Sequence, residues 1–97
     1  VVAKEFSRDA QPLLKSVNAV ESDELILDIG PETAETYASL IHTAGTIIWN
    51  GPVGVFEWPA FSKGTQRMAT AIASSHAYSL AGGGDTISAI EQFGLAD

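Results

Sequence analysis

Apolar residues recur along this chain in two rhythms, compact runs and stripes spaced three or four apart. The runs are Val1-Val2-Ala3, Leu25-Ile26-Leu27-Asp28-Ile29, Thr46-Ile47-Ile48-Trp49 and Ala77 to Ala81, each consistent with a strand. A further short strand is expected within Leu13 to Val20, with Leu13, Val17 and Ala19 on one side. The stripes fall between the runs. Ala34, Tyr37, Ala38 and Ile41 predict a helix that starts at Gly30-Pro31, where proline loses no hydrogen bond, and stops at Gly45. Phe61, Thr65, Met68, Ala69 and Ile72 predict the buried side of a helix over Ser62 to Ser75. Ile87, Ile90 and Phe93 predict one face of a last helix, ending at Gly94. Lys4 to Asp9 is polar, and Glu21 to Glu24 reads as an acidic, solvated loop.

Strands alternating with helices predict an α/β fold with parallel strands joined by right-handed crossovers. Thr46 to Trp49 is apolar on both faces, as in a sheet covered on both sides. In such sheets ligands bind beyond the carboxyl ends of the strands. That rule puts two loops, Asn50 to Glu57 and Gly82 to Thr86, on one edge of the molecule.

Composition narrows the classes. The chain has 97 residues, 45% hydrophobic and 18% charged, which is the balance of one small globular unit or of a piece of a larger one. It contains no cysteine, which excludes disulfides and thiolate metal sites. No apolar run approaches the roughly 20 residues of a membrane-spanning helix. Twelve acids against five lysines and arginines give a net charge of −7, which argues against nucleic acid or an anionic membrane as the main partner. Val1-Val2-Ala3 begins a strand with no polar lead-in, so the chain is expected to be cut from a longer one.

The candidate chemistry lies on the two loops. In Leu80-Ala81-Gly82-Gly83-Gly84-Asp85-Thr86 a strand runs into three glycines, an acid and a hydroxyl. Glycines let a phosphate approach bare backbone, and the free N–H groups of the following helix point at that anion. Asp85 is placed to hold a magnesium ion and Thr86 to touch a phosphate oxygen. The other reading is an ordinary strand–helix turn with Asp85 as N-cap. In the second loop Asn50 offers an amide, Glu57 can accept from vicinal hydroxyls such as those of a ribose, and Val53, Val55 and Phe56 can line a slot for a base. The other reading is a structural turn with Phe56 and Trp58 packed over the sheet. Asp28 can contribute to the ligand edge but reads better as a turn-stabilising acid. Leu27 reads better as core than as a contact to a base, and His42 and His76 read as surface or packing residues. A non-catalytic module that binds a phosphate, a nucleotide or a protein partner is the second functional class. The common nucleotide-binding and hydrolase motifs are absent: there is no G-x-x-x-x-G-K-[ST], and the three glycines do not extend to G-x-G-x-x-G.

Taken together, Trp49-Asn50-Gly51-Pro52-Val53-Gly54-Val55-Phe56-Glu57, then Phe61 with Lys63-Gly64-Thr65, then Gly82-Gly83-Gly84-Asp85-Thr86 resemble the phosphoglycerate kinase family. The opening Val1 to Phe6 and the closing Phe93-Gly94-Leu95-Ala96-Asp97 fit the same pattern, so the resemblance runs through the whole chain. It is nearest the bacterial form, since Leu25-Ile26-Leu27-Asp28-Ile29-Gly30-Pro31 has Ile26 where many members carry glycine. The resemblance implies a Rossmann-like parallel sheet with flanking helices, an incomplete part of a larger three-layer domain. Residues 1–97 would be the middle of the C-terminal, nucleotide-binding domain, with the N-terminal substrate domain outside the chain. It implies a cytoplasmic glycolytic enzyme that moves a phosphoryl group between 1,3-bisphosphoglycerate and Mg-ADP to give 3-phosphoglycerate and ATP. Glu57 would hold the ribose hydroxyls, Pro52 and Val55 would flank the adenosine, and Asn50 would lie near the phosphates. Gly82, Gly83 and Gly84 would line the phosphate path, Gly83 and Gly84 in the catalytic role. Asp85 would bind Mg2+, and Thr86 a phosphate oxygen. The whole enzyme would be a monomer. This chain would be inactive alone, because the family's substrate domain and phosphate-balancing lysines fall outside it. It would be prone to self-association, because its sheet would lack neighbouring strands and leave edges unpaired.

Overall fold

Residues 1–94 are described by a computed structural model, so the closing Leu95-Ala96-Asp97 of the resemblance lies outside the described residues. The elements, in chain order, are β1 (Val2–Ala3), β2 (Leu25–Ile26), α1 (Pro31–Thr43), β3 (Thr46–Asn50), α2 (Lys63–Ser74), β4 (Tyr78–Gly82) and α3 (Gly84–Gln92). This is an α/β chain, as the alternation of runs and stripes predicts.

The parallel part of the sheet is β3 beside β4, in the register Thr46↔Tyr78, Ile48↔Leu80 and Asn50↔Gly82. Helix α2 carries the crossover between them, which a parallel pair requires. The first two strands depart from the all-parallel expectation: β1 and β2 pair antiparallel in a separate two-stranded sheet. The reason is the connection. Residues 4–24 contain no α-helix to carry the chain back across the sheet, so β2 returns alongside β1 in the opposite direction. Nor does Leu13 to Val20 form a strand. Leu13 makes an isolated bridge to Val2, and Val17–Ala19 is a 3-10 turn whose Val17 is 84% exposed. The run Leu25 to Ile29 is strand only over its first two residues. Beyond them the Leu27 N–H donates to the Val1 carbonyl at 3.0 Å, and the Val1 nitrogen donates to the Asp28 carbonyl at 2.8 Å.

Helices α1 and α2 form where their stripes place them, although Tyr37 of the α1 stripe is 43% exposed. Pro31 opens α1 behind Gly30, Ala34 and Ala38 are buried, and Ala44 caps the helix just before Gly45. Helix α2 buries Gly64, Thr65, Ala69 and Ala71, with Met68 and Ile72 half-buried at its margin. The two helices pack together, joined at the surface by a forked Arg67–Glu35 contact of 2.6 and 3.1 Å. Ala3, Leu27 and Phe61 form a core cluster, with Val55 and Trp58 packed against it.

Strand β3 corrects the expectation of a sheet covered on both sides. Ile47 and Trp49 are buried, but Ile48 is 77% exposed. Alternate residues of a strand point to opposite faces. The register therefore puts Ile48, Tyr78 and Leu80 together on the open face, and all five residues of β4 are exposed. In α3 the fully buried residues are Thr86 and Ala89, whereas Ile87 of the expected stripe is 43% exposed.

Candidate functional site

Because β3 and β4 are parallel and in register, they end side by side, at Asn50 and Gly82. Both chemistry-bearing loops leave from that one edge. The turn into α3 is built on glycine for a physical reason. Gly83 is the N-cap of α3 with φ +89°, and a Cβ there would lie 3.0 Å from Asn50 Oδ1. A side chain at Gly83 would therefore be strained by its backbone and crowded by Asn50. Nothing lies within 4 Å of the position a Cβ would take at Gly84, so the space above the helix start is open. Asp85 stands exposed in the first turn of α3. The N-cap is Gly83, with no side-chain capping bond, so Asp85 is not the N-cap.

Thr86 faces inward. It is fully buried, and its Oγ1 accepts the Gly51 N–H at 2.6 Å. The Gly51 carbonyl in turn accepts the Trp49 indole N–H at 3.0 Å. Gly51 has φ +114°, so this residue turns the chain sharply out of β3 and is held on both its backbone groups. Thr86 thus joins the glycine turn to the Asn50–Glu57 loop.

The far side of that loop is held by the segment that follows β2 and by α2. The Val55 N–H donates to the Leu27 carbonyl at 2.9 Å, and the Thr65 hydroxyl donates to the Val53 carbonyl. Asp28 is buried where these segments meet. Its Oδ1 accepts the Ile29 N–H at 2.8 Å and its Oδ2 accepts the Gly64 N–H at 3.0 Å. Burial pushes its carboxyl above the ordinary aspartate value, opposed by those two backbone bonds and by the Val1 ammonium. Glu57 is exposed, and the carbonyl of its neighbour Phe56 accepts from Gln92 Nε2 of α3 at 3.0 Å.

A strand-end pair of loops, one rich in glycine and opening a helix, is the arrangement that binds phosphates in parallel α/β sheets. A family model described as phosphoglycerate kinase matches residues 1–97. The chain belongs to the phosphoglycerate kinase family. Two curated relatives, phosphoglycerate kinases of Francisella tularensis subsp. tularensis (strain WY96-3418) and subsp. holarctica (strain FTNF002-00 / FTA), are each 59% identical over 96 residues. That match covers 99% of this chain and 24% of each relative, so the chain spans about a quarter of their length. The solved structure of phosphoglycerate kinase from Coxiella burnetii superposes with a TM-score of 0.96 at 55% identity, over 99% of this chain and 25% of that one.

Within this phosphoglycerate kinase segment the two loops share an edge. Asn50 pairs with Gly82 across the strand ends, its Oδ1 occupies the space a Cβ on Gly83 would crowd, and Thr86 is tied to Gly51. Asp85 and Glu57 are both exposed, while Pro52 and Val55 are half-buried, Val55 against the core cluster. Sequence reasoning missed the part played by Gly51, which reads only as one glycine of a loop and whose hydrogen bond spans 35 positions. Asp28 is visible in the sequence as an acid near the ligand edge, but no short-range spacing links it to Gly64, 36 positions on.

Proposed function

We propose that this chain supplies part of the Mg-nucleotide site of a phosphoglycerate kinase, and that it belongs to the nucleotide-binding domain of that enzyme. The substrates are ADP or ATP, with 1,3-bisphosphoglycerate and 3-phosphoglycerate held by a separate substrate domain in the cytoplasm. The observation that carries the reading is the register Asn50↔Gly82, which brings both loops to one strand-end edge with a bare-backbone turn ahead of α3.

Glu57 takes the ribose hydroxyls, Pro52 and Val55 flank the adenosine, and Asn50 lies beside the phosphates. Gly82, Gly83 and Gly84 line the phosphate path, and the α3 N–H groups offer hydrogen bonds to anionic oxygens without a side chain intervening. Thr86 is buried against Gly51, whose N–H its Oγ1 accepts, so it holds the two loops together, and its hydroxyl hydrogen is left to donate to a phosphate oxygen. The donor chemistry fits magnesium: Asp85 is an exposed carboxylate, and magnesium takes one or two carboxylates while keeping several waters and sharing phosphate oxygens. When bound it neutralises phosphate charge, and phosphoryl transfer depends chiefly on that and on positioning. No helix among the described residues is long and apolar enough to cross a membrane.

The test is a chimera in which this chain replaces the corresponding quarter of the Francisella tularensis phosphoglycerate kinase. We expect it to form ATP from 1,3-bisphosphoglycerate and Mg-ADP, and Asp85→Ala to lower kcat/KM for Mg-ADP about a hundredfold. The 97-residue chain alone is expected to give no turnover in the same assay. A chimera without activity, or an Asp85→Ala variant with unchanged kcat/KM, overturns the reading.

A further inference from the structure

We infer that Asp28 is a positioning residue for the Asn50–Glu57 loop, setting that loop against α2 from beneath; the inference rests on the nucleotide reading of the loop.

Three segments meet at this carboxylate: residues 27–30 after β2, residues 53–55 of the loop, and residues 63–65 at the start of α2. The carboxylate fills a gap between two glycines. A Cβ on Gly54 would lie 2.5 Å from Asp28 Oδ1 and 2.7 Å from the Leu27 carbonyl, and a Cβ on Gly64 would press on the same Oδ1. Gly54 also has φ +69°, which L side chains rarely adopt. The loop backbone thus rests on one side of Asp28, and the first turn of α2 rests on the other. The charge is placed to advantage, since an anion near a helix N-terminus is favoured and Oδ2 takes the Gly64 N–H.

Both oxygens of Asp28 are acceptors for backbone N–H groups. This makes a sharp chemical requirement. Asparagine has the same shape but turns one acceptor into an NH2 donor, which would face a backbone N–H. Serine or alanine would leave the gap empty. The residues assigned to the nucleotide, Pro52, Val55 and Glu57, flank Gly54 closely, so the spacing set by Asp28 passes directly to them. Asp28 touches no substrate in this account and acts through Gly54 and Gly64.

The test follows amide hydrogen exchange in the full 97-residue chain and in its Asp28→Asn and Gly54→Ala variants. The expected result is a fall of about tenfold or more in protection at Val55 and neighbouring loop amides, with the amides of α1 and of the β3–β4 ladder unchanged. Gly54→Ala should reproduce that pattern from the loop side with the carboxylate intact. Uniform loss of protection across the chain, unfolding of both variants, or an unchanged loop overturns the assignment. In the active chimera Asp28→Asn should raise KM for ADP about tenfold with kcat within about twofold, the signature of weakened nucleotide binding by a loosened loop rather than lost chemistry. An unchanged KM beside a loosened loop also overturns it. An unsubstituted chimera without turnover counts against the nucleotide reading instead, and the exchange pattern still decides whether Asp28 holds the loop.

Discussion

Gly51 carries no side chain, yet both of its backbone groups are engaged, by the Thr86 hydroxyl on one side and the Trp49 indole on the other. That makes Thr86 the residue through which the glycine turn and the neighbouring loop act as one unit. Replacing it with valine keeps the shape and leaves the Gly51 N–H without its partner, which costs about 1–2 kcal/mol. Thr86→Ser keeps the hydroxyl and should retain the link. Thermal unfolding of the two variants checks this: equal melting temperatures would mean that the hydroxyl contributes nothing to the link. Gly83→Ala tests the turn itself. An alanine forced to φ +89° with its Cβ 3.0 Å from Asn50 Oδ1 is expected to destabilise by about 1–3 kcal/mol.

At the scale of elements, the connection between β1 and β2 depends on a lysine–glutamate pair. The Glu24 side chain is 1% exposed, and its Oε1 accepts from Lys15 Nζ at 2.7 Å and from the Glu21 N–H at 2.8 Å. The Lys15 hydrogen bond, then the Glu21 N–H, hold the Glu24 carboxyl below the ordinary glutamate value. A carboxyl lowered in the folded chain adds stability at pH above its unfolded value, and that stability is lost as pH falls through the folded value. The melting temperature should therefore drop on acidification through and below the ordinary glutamate range, and Glu24→Gln should flatten that part of the profile. A Glu24→Gln variant with the same acid-side slope would remove this pair as a cause.

How much of these elements could be read from the sequence follows from the range of the forces that make them. The stripe at Ala34 and Ala38 and the proline at Pro31 are local signals, and α1 forms where they place it. The direction of β2 is not local. It is decided by pairing with β1 across a helix-free connection, so Leu25 and Ile26 read as parallel strand until that connection is seen. The shared edge of the site was legible, because a helix between two apolar runs implies parallel strands. The inward turn of Thr86 was not. A threonine after three glycines has the same chemistry whether its hydroxyl meets a phosphate or a backbone N–H.

For the whole molecule, the decisive feature is the uncovered face of the β3–β4 sheet. Ile48, Tyr78 and Leu80 are 77%, 68% and 51% exposed and lie together, while β4 presents five exposed residues. The described residues form a flat body of 40 × 25 × 17 Å, which leaves little interior to shelter such a face. Contiguous exposed apolar residues favour association, and so does an unpaired strand edge. The net charge of −7 opposes it, because two copies repel. These two effects respond differently to salt. Added salt screens the repulsion and leaves apolar burial in place. Sedimentation velocity on the 97-residue chain should therefore show mass rising with loading concentration, and rising further with ionic strength. Leu80→Lys, which places a charge in the middle of that face, should shift the chain toward monomer at every salt concentration. In the chimera, where the rest of the Francisella tularensis chain is available to cover the sheet, the same substitution should lower the melting temperature instead of the sedimenting mass. A wild-type chain that stays monomeric at high concentration and high salt would show that this face does not drive self-association.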